Sequence, residues 1–124
     1  MSDLQPCVLV VEDEFLIAQG LCLQVEDIGL SVCAIAATAD EAVTAALVHR
    51  PMLVLMDVRL QGDGDGVDAA LAIHDRVGSK VIFVTGSREP ATLDRIGLDH
   101  PAAVLFKPVS DRQLQTTIQG VAGA

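Results

Sequence analysis

Five side chains that can do chemistry stand at the carboxyl ends of short apolar runs in this sequence: Glu12 and Asp13, Asp57, Thr85, and Lys107. A short apolar run bounded by structure-breaking residues is typical of a strand buried on both faces of a parallel sheet. The carboxyl ends of such strands lie at one edge of the sheet, and ligands bind outside that edge. If Asp57 were the only such residue, the simplest interpretation would be that it caps the strand or the following turn. Suitable residues at four strand ends instead predict a shared site.

Phosphoryl transfer is the chemistry that this set of groups suits. Clustered carboxylates repel one another and need a cation, and hard oxygen ligands select Mg²⁺ or a similar ion. The charges of three carboxylates, one ammonium and one Mg²⁺ cancel, which leaves the site able to receive a phosphoryl group. In this hypothesis Asp57 is the nucleophile that forms an acyl phosphate.

The other residues of the predicted site have supporting roles. Glu12 and Asp13 would hold the metal, one of them directly and the other through water. Thr85 would donate its hydroxyl, and Lys107 its ammonium, to the phosphoryl oxygens. Gly86 follows Thr85 and would leave room for an incoming phosphodonor or a water molecule.

The elements that must position these residues alternate as strand and helix five times. Predicted strands cover residues 7–11, 31–36, 51–56, 80–84 and 101–106, and predicted helices cover 15–28, 38–49, 67–77, 89–98 and a last stretch from 110 onward. Two capping-box patterns, Thr38 with Glu41 and Ser110 with Gln113, mark helix starts. Strands separated by helices of this length require parallel crossovers, so we expect a three-layer α/β sandwich.

Composition narrows the class of protein. The chain has 124 residues, enough for one domain, and we expect no output domain. A net charge of -9 argues against a nucleic-acid or anionic-membrane partner. We expect no signal peptide, no apolar run reaches membrane-spanning length, and Cys7, Cys22 and Cys33 have apolar neighbours. We therefore expect a cytoplasmic domain with buried free thiols.

Four motifs carry a resemblance to a known family: VVEDE (residues 10–14), LMDVRL (55–60), VTG (84–86) and FKP (106–108). In this order they resemble the receiver domain of response regulators in two-component signalling, the CheY-like domain, over essentially the whole chain. The resemblance implies a flavodoxin-like, doubly wound sheet with strand order 2-1-3-4-5. It also implies that Asp57 is the phosphoacceptor, that the Lys107–Pro108 peptide is cis, and that Mg²⁺ is bound by Glu12, Asp13, Asp57 and the backbone carbonyl of Arg59.

One position departs from the family pattern. Receiver domains usually carry Tyr or Phe three residues before the lysine, and that aromatic ring moves inward when the threonine is drawn to the phosphoryl group; this sequence has Val104 there. The segment 83–87 is similar to the signature of the FATGUY group of stand-alone alphaproteobacterial receivers, which lack the aromatic residue. The segment 60–70 resembles receivers that are paired with histidine kinases of the HWE or HisKA2 type.

The leading hypothesis is a stand-alone response regulator that is not an enzyme in its own right. It would take a phosphoryl group from a sensor histidine kinase or a histidine phosphotransferase, then bind a downstream protein through its last helix-strand-helix region or act as a phosphate sink. One alternative is a degenerate receiver that acts as a phosphorylation-independent adaptor. A phosphatase of the haloacid-dehalogenase type is disfavoured, because Arg59 stands where its second aspartate is required.

Overall fold

The computed structural model describes residues 4–60, 65–86, 89–98 and 101–122. Part of each segment that carries the subfamily resemblances, residues 61–64 and Ser87, lies outside these ranges. Within them, five strands alternate with five helices: β1 (Gln5–Val11), α1 (Phe15–Asp27), β2 (Ser31–Ala36), α2 (Ala39–His49), β3 (Pro51–Met56), α3 (Gly66–Arg76), β4 (Lys80–Thr85), α4 (Pro90–Leu98), β5 (Ala103–Phe106) and α5 (Asp111–Ala122). The predicted alternation of strands and helices is confirmed.

All five strands are parallel and lie in the order β2-β1-β3-β4-β5, which confirms the flavodoxin-like fold. Alternate residues of each strand face opposite layers of helices. Leu9 and Val11 of β1 pack in a cluster with α2, α3 and α4, whereas Val8 and Val10 pack in a cluster with α1 and α5. The central strands are therefore buried on both faces, as their continuous apolar runs predicted.

The predicted capping box of α5 forms completely, and that of α2 forms in part. The Glu41 N–H donates to Thr38 Oγ1 at 3.1 Å, although the Glu41 carboxylate reaches back to the N–H of Ala37 and not to that of Thr38. At α5, the Gln113 N–H donates to Ser110 Oγ at 3.1 Å, and the Ser110 N–H donates to Gln113 Oε1 at 3.3 Å. These bonds satisfy backbone donors that would otherwise have no partner at the helix start.

Two details differ from the sequence-based expectation. Strand β5 begins at Ala103 and not at residue 101, because its paired register with β4 starts at Ala103, opposite Ile82. Of the three cysteines only Cys22 is buried, while Cys7 and Cys33 are half-buried. Cys33 lies in the edge strand β2, where the pairing with β1 is irregular, so the sheet covers it on one side only. No helix in the described ranges is long and apolar enough to cross a membrane.

Candidate functional site

The five side chains singled out in the sequence come together at the carboxyl edge of the sheet. Lys107 is the link between two of them: its Nζ lies 2.6 Å from Glu12 Oε1 and 3.3 Å from Asp57 Oδ2. Glu12, Asp57 and Thr85 are buried, with 2%, 6% and 1% of their surface exposed. The structure therefore holds two carboxylates and an ammonium in direct contact, in a place largely withdrawn from water.

Backbone hydrogen bonds that extend the ladder past the strand ends fix these residues in place. The Glu12 N–H donates to the Ala36 carbonyl and the Asp57 N–H to the Val11 carbonyl, each at 2.9 Å. The Lys107 N–H donates to the Thr85 carbonyl at 2.8 Å, and the following Lys107–Pro108 peptide is cis, as the resemblance implied. Glu12, Asp57 and Lys107 thus each directly follow a strand, while Thr85 is the last residue of β4, so all four share the rigidity of the sheet.

The segment after Asp57 folds back so that the start of α3 touches it. Asp57 Oδ1 accepts a hydrogen bond from the Arg59 N–H at 3.3 Å, and the Gly66 N–H donates to the Val58 carbonyl at 2.8 Å. A Cβ atom at Gly66 would overlap the carbonyl group of Asp57. Only glycine permits this approach, so the amino end of α3 rests directly on the peptide of Asp57.

A divalent cation fits the acidic groups of this edge. Glu12, Asp13 and Asp57 each present a carboxylate oxygen, and these oxygens lie within 4.8 Å of one another. An all-oxygen, anionic donor set suits Mg²⁺. The Arg59 N–H donates to the Asp57 carboxylate, and this bond places the Arg59 peptide beside the acidic groups. The residues present therefore fit the metal that the sequence analysis predicted.

Burial and the ion pairs shift the ionisation of each group. Burial raises the pKa of Asp57 to about 6; Lys107 opposes this rise and the charge of Glu12 adds to it. Burial also acts to raise the pKa of Glu12, but the bonds from Lys107 and the Glu14 N–H outweigh it, so that pKa lies below its usual value. The pKa of Asp13 is raised, by burial first and then by Glu12. For Lys107, the two carboxylates outweigh burial and raise the pKa. Lys107 therefore stays protonated at neutral pH, while the pKa of Asp57, about 6, lies close to neutrality.

An open cavity of about 550 Å³ gives access to Asp57. Asp13, Lys107, Thr85 and Gly86 line it, and Arg59 and Glu89 form an ion pair of 3.4 Å beside it. Glu89 and the side chain of Arg59 were not predicted from the sequence to line this cavity. Neither residue directly follows an apolar run, and the site residues were predicted only from the carboxyl ends of such runs.

Val104, where the family usually has an aromatic residue, pairs in register with Phe83 of β4. Phe83 is fully buried, and Val104 packs against the same core cluster from the edge strand. The neighbouring Phe106 pairs with Thr85 and is half-buried. At this register position the aromatic residue is therefore Phe83 of β4, and its partner in β5 is the aliphatic Val104.

Comparison with known proteins settles the family. Residues 8–119 match the family model described as the response regulator receiver domain. The chain belongs to this family. This receiver domain is 32% identical over 112 residues to the transcriptional regulatory protein PdtaR of Mycobacterium tuberculosis, and 34% identical over 119 residues to the phyllosphere-induced regulator PhyR of Methylorubrum extorquens. These alignments cover 90% and 94% of the chain but 54% and 43% of the relatives. The chain therefore spans about half the length of these curated relatives.

A solved structure agrees with the fold. The signal receiver domain of a modulated diguanylate cyclase from Desulfovibrio desulfuricans is 35% identical, with a TM-score of 0.90 over 98% of this chain and 95% of that one. Receiver domains are generally non-enzymatic signalling domains that interact with histidine kinases or phosphotransferases. A phosphorylated aspartate and Mg²⁺ bound by acidic residues are typical of the family. The receiver domain described here thus belongs to two-component signalling.

Proposed function

We propose that this receiver domain accepts a phosphoryl group on Asp57 from a phosphohistidine of a sensor histidine kinase or a histidine phosphotransferase. The observation that carries the proposal is the position of Lys107 Nζ, 3.3 Å from Asp57 and 2.6 Å from Glu12. An ammonium so close to the buried carboxylate can neutralise the charge of a phosphoryl group that joins it. The open cavity over Asp57 is where the donor would enter.

In the proposed transfer, a carboxylate oxygen of Asp57 forms a bond to the phosphorus atom. The bond from phosphorus to the histidine ring nitrogen breaks, its electron pair stays on that nitrogen, and the ring takes up a proton from solvent. Attack of water on phosphorus later releases inorganic phosphate and restores the carboxylate. Only the ionised carboxylate is a nucleophile, so the pKa of about 6 leaves Asp57 reactive at neutral pH.

Mg²⁺ would be held by carboxylate oxygens of Glu12, Asp13 and Asp57 together with the backbone carbonyl of Arg59. When bound, it would supply positive charge next to the phosphoryl oxygens and offset the repulsion between the acidic groups. Thr85 would donate its hydroxyl to a phosphoryl oxygen, and Lys107 would remain protonated throughout. Gly86, which lines the cavity beside Thr85, adds no side chain to the entry path.

The phosphorylated domain would act by changing its affinity for a downstream protein, or by serving as a phosphate sink. We propose that the domain itself is cytoplasmic and that its kinase partner is of the HWE or HisKA2 type. It would bind neither nucleic acid nor a membrane surface, in keeping with the net charge of -9. Val104 supports a second candidate, an adaptor that binds partners without phosphorylation, because the usual aromatic element of the switch is absent there.

Intact mass spectrometry tests the proposal. Wild type and Asp57→Asn are incubated with Mg²⁺ and acetyl phosphate, and in parallel with a phosphorylated histidine kinase. We expect wild type to gain one phosphoryl group only when Mg²⁺ is present, and the Asn variant, which keeps the shape but not the nucleophile, to gain none. Absence of a gain with both donors would reject phosphoryl transfer and favour the adaptor.

A further inference from the structure

Among the side chains of helix α4 that the structure describes, few pack against the core. Among its described side chains only Ile96 is buried, and Leu93 is partly buried beside the same core cluster. One buried side chain fixes a point of contact, but it does not fix the orientation of a nine-residue helix. The orientation of α4 therefore depends on its polar contacts with neighbouring elements.

Arg95 makes the polar contact between α4 and the start of α3. Its Nη1 lies 2.7 Å from Asp65 Oδ2, and its Nη2 lies 3.7 Å from Asp68 Oδ1. A guanidinium that reaches two carboxylates with its two terminal nitrogens is constrained in direction as well as distance. The side chain of Asp65 is 29% exposed and that of Arg95 is 48% exposed, so water screens this ion pair only in part.

The carboxylate of Asp65 serves two elements at once. Oδ2 accepts from Arg95, while Oδ1 caps α3 by accepting from the N–H groups of Val67 and Asp68, each at 3.1 Å. The next residue is Gly66, which rests on the carbonyl group of Asp57. Arg95 is thus connected to the peptide of Asp57 by the hydrogen bonds at the cap of α3 and by the close approach of Gly66.

We propose that Arg95 is a positioning residue: it holds the amino end of α3 against the peptide of Asp57 and thereby couples the docking of α4 to the geometry of the acceptor site. Coupling between two sites is reciprocal, so ligands at Asp57 must tighten the docking of α4 as much as α4 improves the site. This route needs no aromatic residue at Val104. It rests on the proposed function for the identity of those ligands.

The second ion pair between these segments, Arg59 with Glu89, does not carry the proposal. Both side chains are mostly exposed, 72% and 68%, and their atoms are 3.4 Å apart. A solvated pair of this kind gives almost no preference for one geometry over another. The Arg95 contact is shorter and less exposed, and it reaches the cap of α3 itself.

The affinity for Mg²⁺, measured by calorimetry, separates positioning from simple electrostatics. Removing a nearby positive charge strengthens cation binding, whereas loss of positioning weakens it. We expect Arg95→Gln to weaken Mg²⁺ binding by about two- to fivefold and Arg95→Lys to recover part of that loss. The control is Arg76→Gln, which removes an exposed arginine in the last turn of α3. Equal or tighter Mg²⁺ binding by Arg95→Gln would overturn the proposal.

Hydrogen exchange of the α4 amides gives the reciprocal readout. In wild type and in Arg76→Gln, adding Mg²⁺ and beryllium fluoride, a mimic of the phosphoryl group, is expected to slow exchange in residues 90–98. In Arg95→Gln that slowing should be lost. An equal slowing in all three proteins contradicts the coupling. If wild type binds Mg²⁺ but gains no phosphoryl group from either donor, the proposed function fails, while the order of Mg²⁺ affinities still decides the role of Arg95.

Discussion

Lys107 lies closer to Glu12 than to Asp57: its Nζ is 2.6 Å from the first carboxylate and 3.3 Å from the second. Glu12 is the more deeply buried partner and keeps a pKa below its usual value, mainly because bonds from Lys107 outweigh the effect of burial. Asp57 lies farther from the ammonium. Its pKa is raised first by its own burial and then by the negative charge of Glu12, while Lys107 opposes the rise. The two carboxylates thus compete for one cation.

The first prediction concerns this competition. Glu12→Gln removes the negative charge that raises the pKa of Asp57 and releases Lys107 toward it, so the pKa of Asp57 should fall below its present value of about 6. Carboxyl-carbon NMR of the metal-free protein measures the titration directly. Glu14→Gln, which removes an acid that also lines the cavity, is the matched control and should have a smaller effect. An unchanged Asp57 titration in Glu12→Gln would contradict the competition.

The second prediction is that Asp57→Asn stabilises the metal-free protein at neutral and alkaline pH. The folded pKa of about 6 lies above the ordinary value of 3.8, so the contribution of Asp57 to stability is retained below pH 3.8 and lost as the pH rises through 6. The cost to wild type at high pH is at most about 3 kcal/mol. Thermal unfolding should give a higher melting temperature for Asp57→Asn than for wild type at neutral and alkaline pH, and this difference should disappear in acid. Asp68→Asn, at an exposed position, should not reproduce it.

The third prediction concerns the contact between α3 and Asp57. Gly66→Ala places a Cβ atom against the carbonyl group of Asp57, and because the atoms it meets belong to the backbone, the helix start must move. We expect a loss of about 1–3 kcal/mol in the free energy of unfolding, with slower gain of a phosphoryl group. Gly20→Ala in α1 meets open space and should stabilise by about 0.5–1 kcal/mol. Chemical denaturation of both variants provides the comparison, and equal stability of the two would refute the contact.

The fourth prediction is a pH effect at the cap of α3. Burial acts to raise the pKa of Asp65, but Arg95 and the N–H groups of Asp68 and Val67 outweigh it, so the pKa lies below its usual value. The stabilisation is therefore present above the ordinary pKa and is lost as pH falls through the folded pKa. Asp65→Asn keeps a capping oxygen but loses the charge that faces Arg95. The melting temperatures of wild type and Asp65→Asn should differ most near about pH 7 and converge in acid; a constant difference would argue against an ionic contribution.

The sequence was sufficient to predict the order of elements and the residues at the carboxyl edge, because apolar runs that end in polar residues encode both. It was not sufficient to predict the contact of Gly66 with Asp57 or the pair between Arg95 and Asp65. Those depend on how α3 and α4 approach the loop after β3, which no local periodicity records. The prediction that all three cysteines are buried was wrong for a related reason. Cys33 has apolar neighbours in sequence but lies in an edge strand, and the burial of a side chain depends on its place in the sheet.

Phe83 gives this protein an internal spectroscopic reporter. The chain has three phenylalanines and no Trp or Tyr, and Phe83 is the one that is fully buried. Its partner in the β4–β5 ladder is Val104, which packs in the same cluster. Because Phe83 and Val104 are register partners in one cluster, we expect the ring current of Phe83 to shift the resonances of the Val104 methyl groups. Any shift of β5 against β4 should therefore move the Val104 methyl resonances, so the position where the family rotates an aromatic ring can be monitored here without introducing a label.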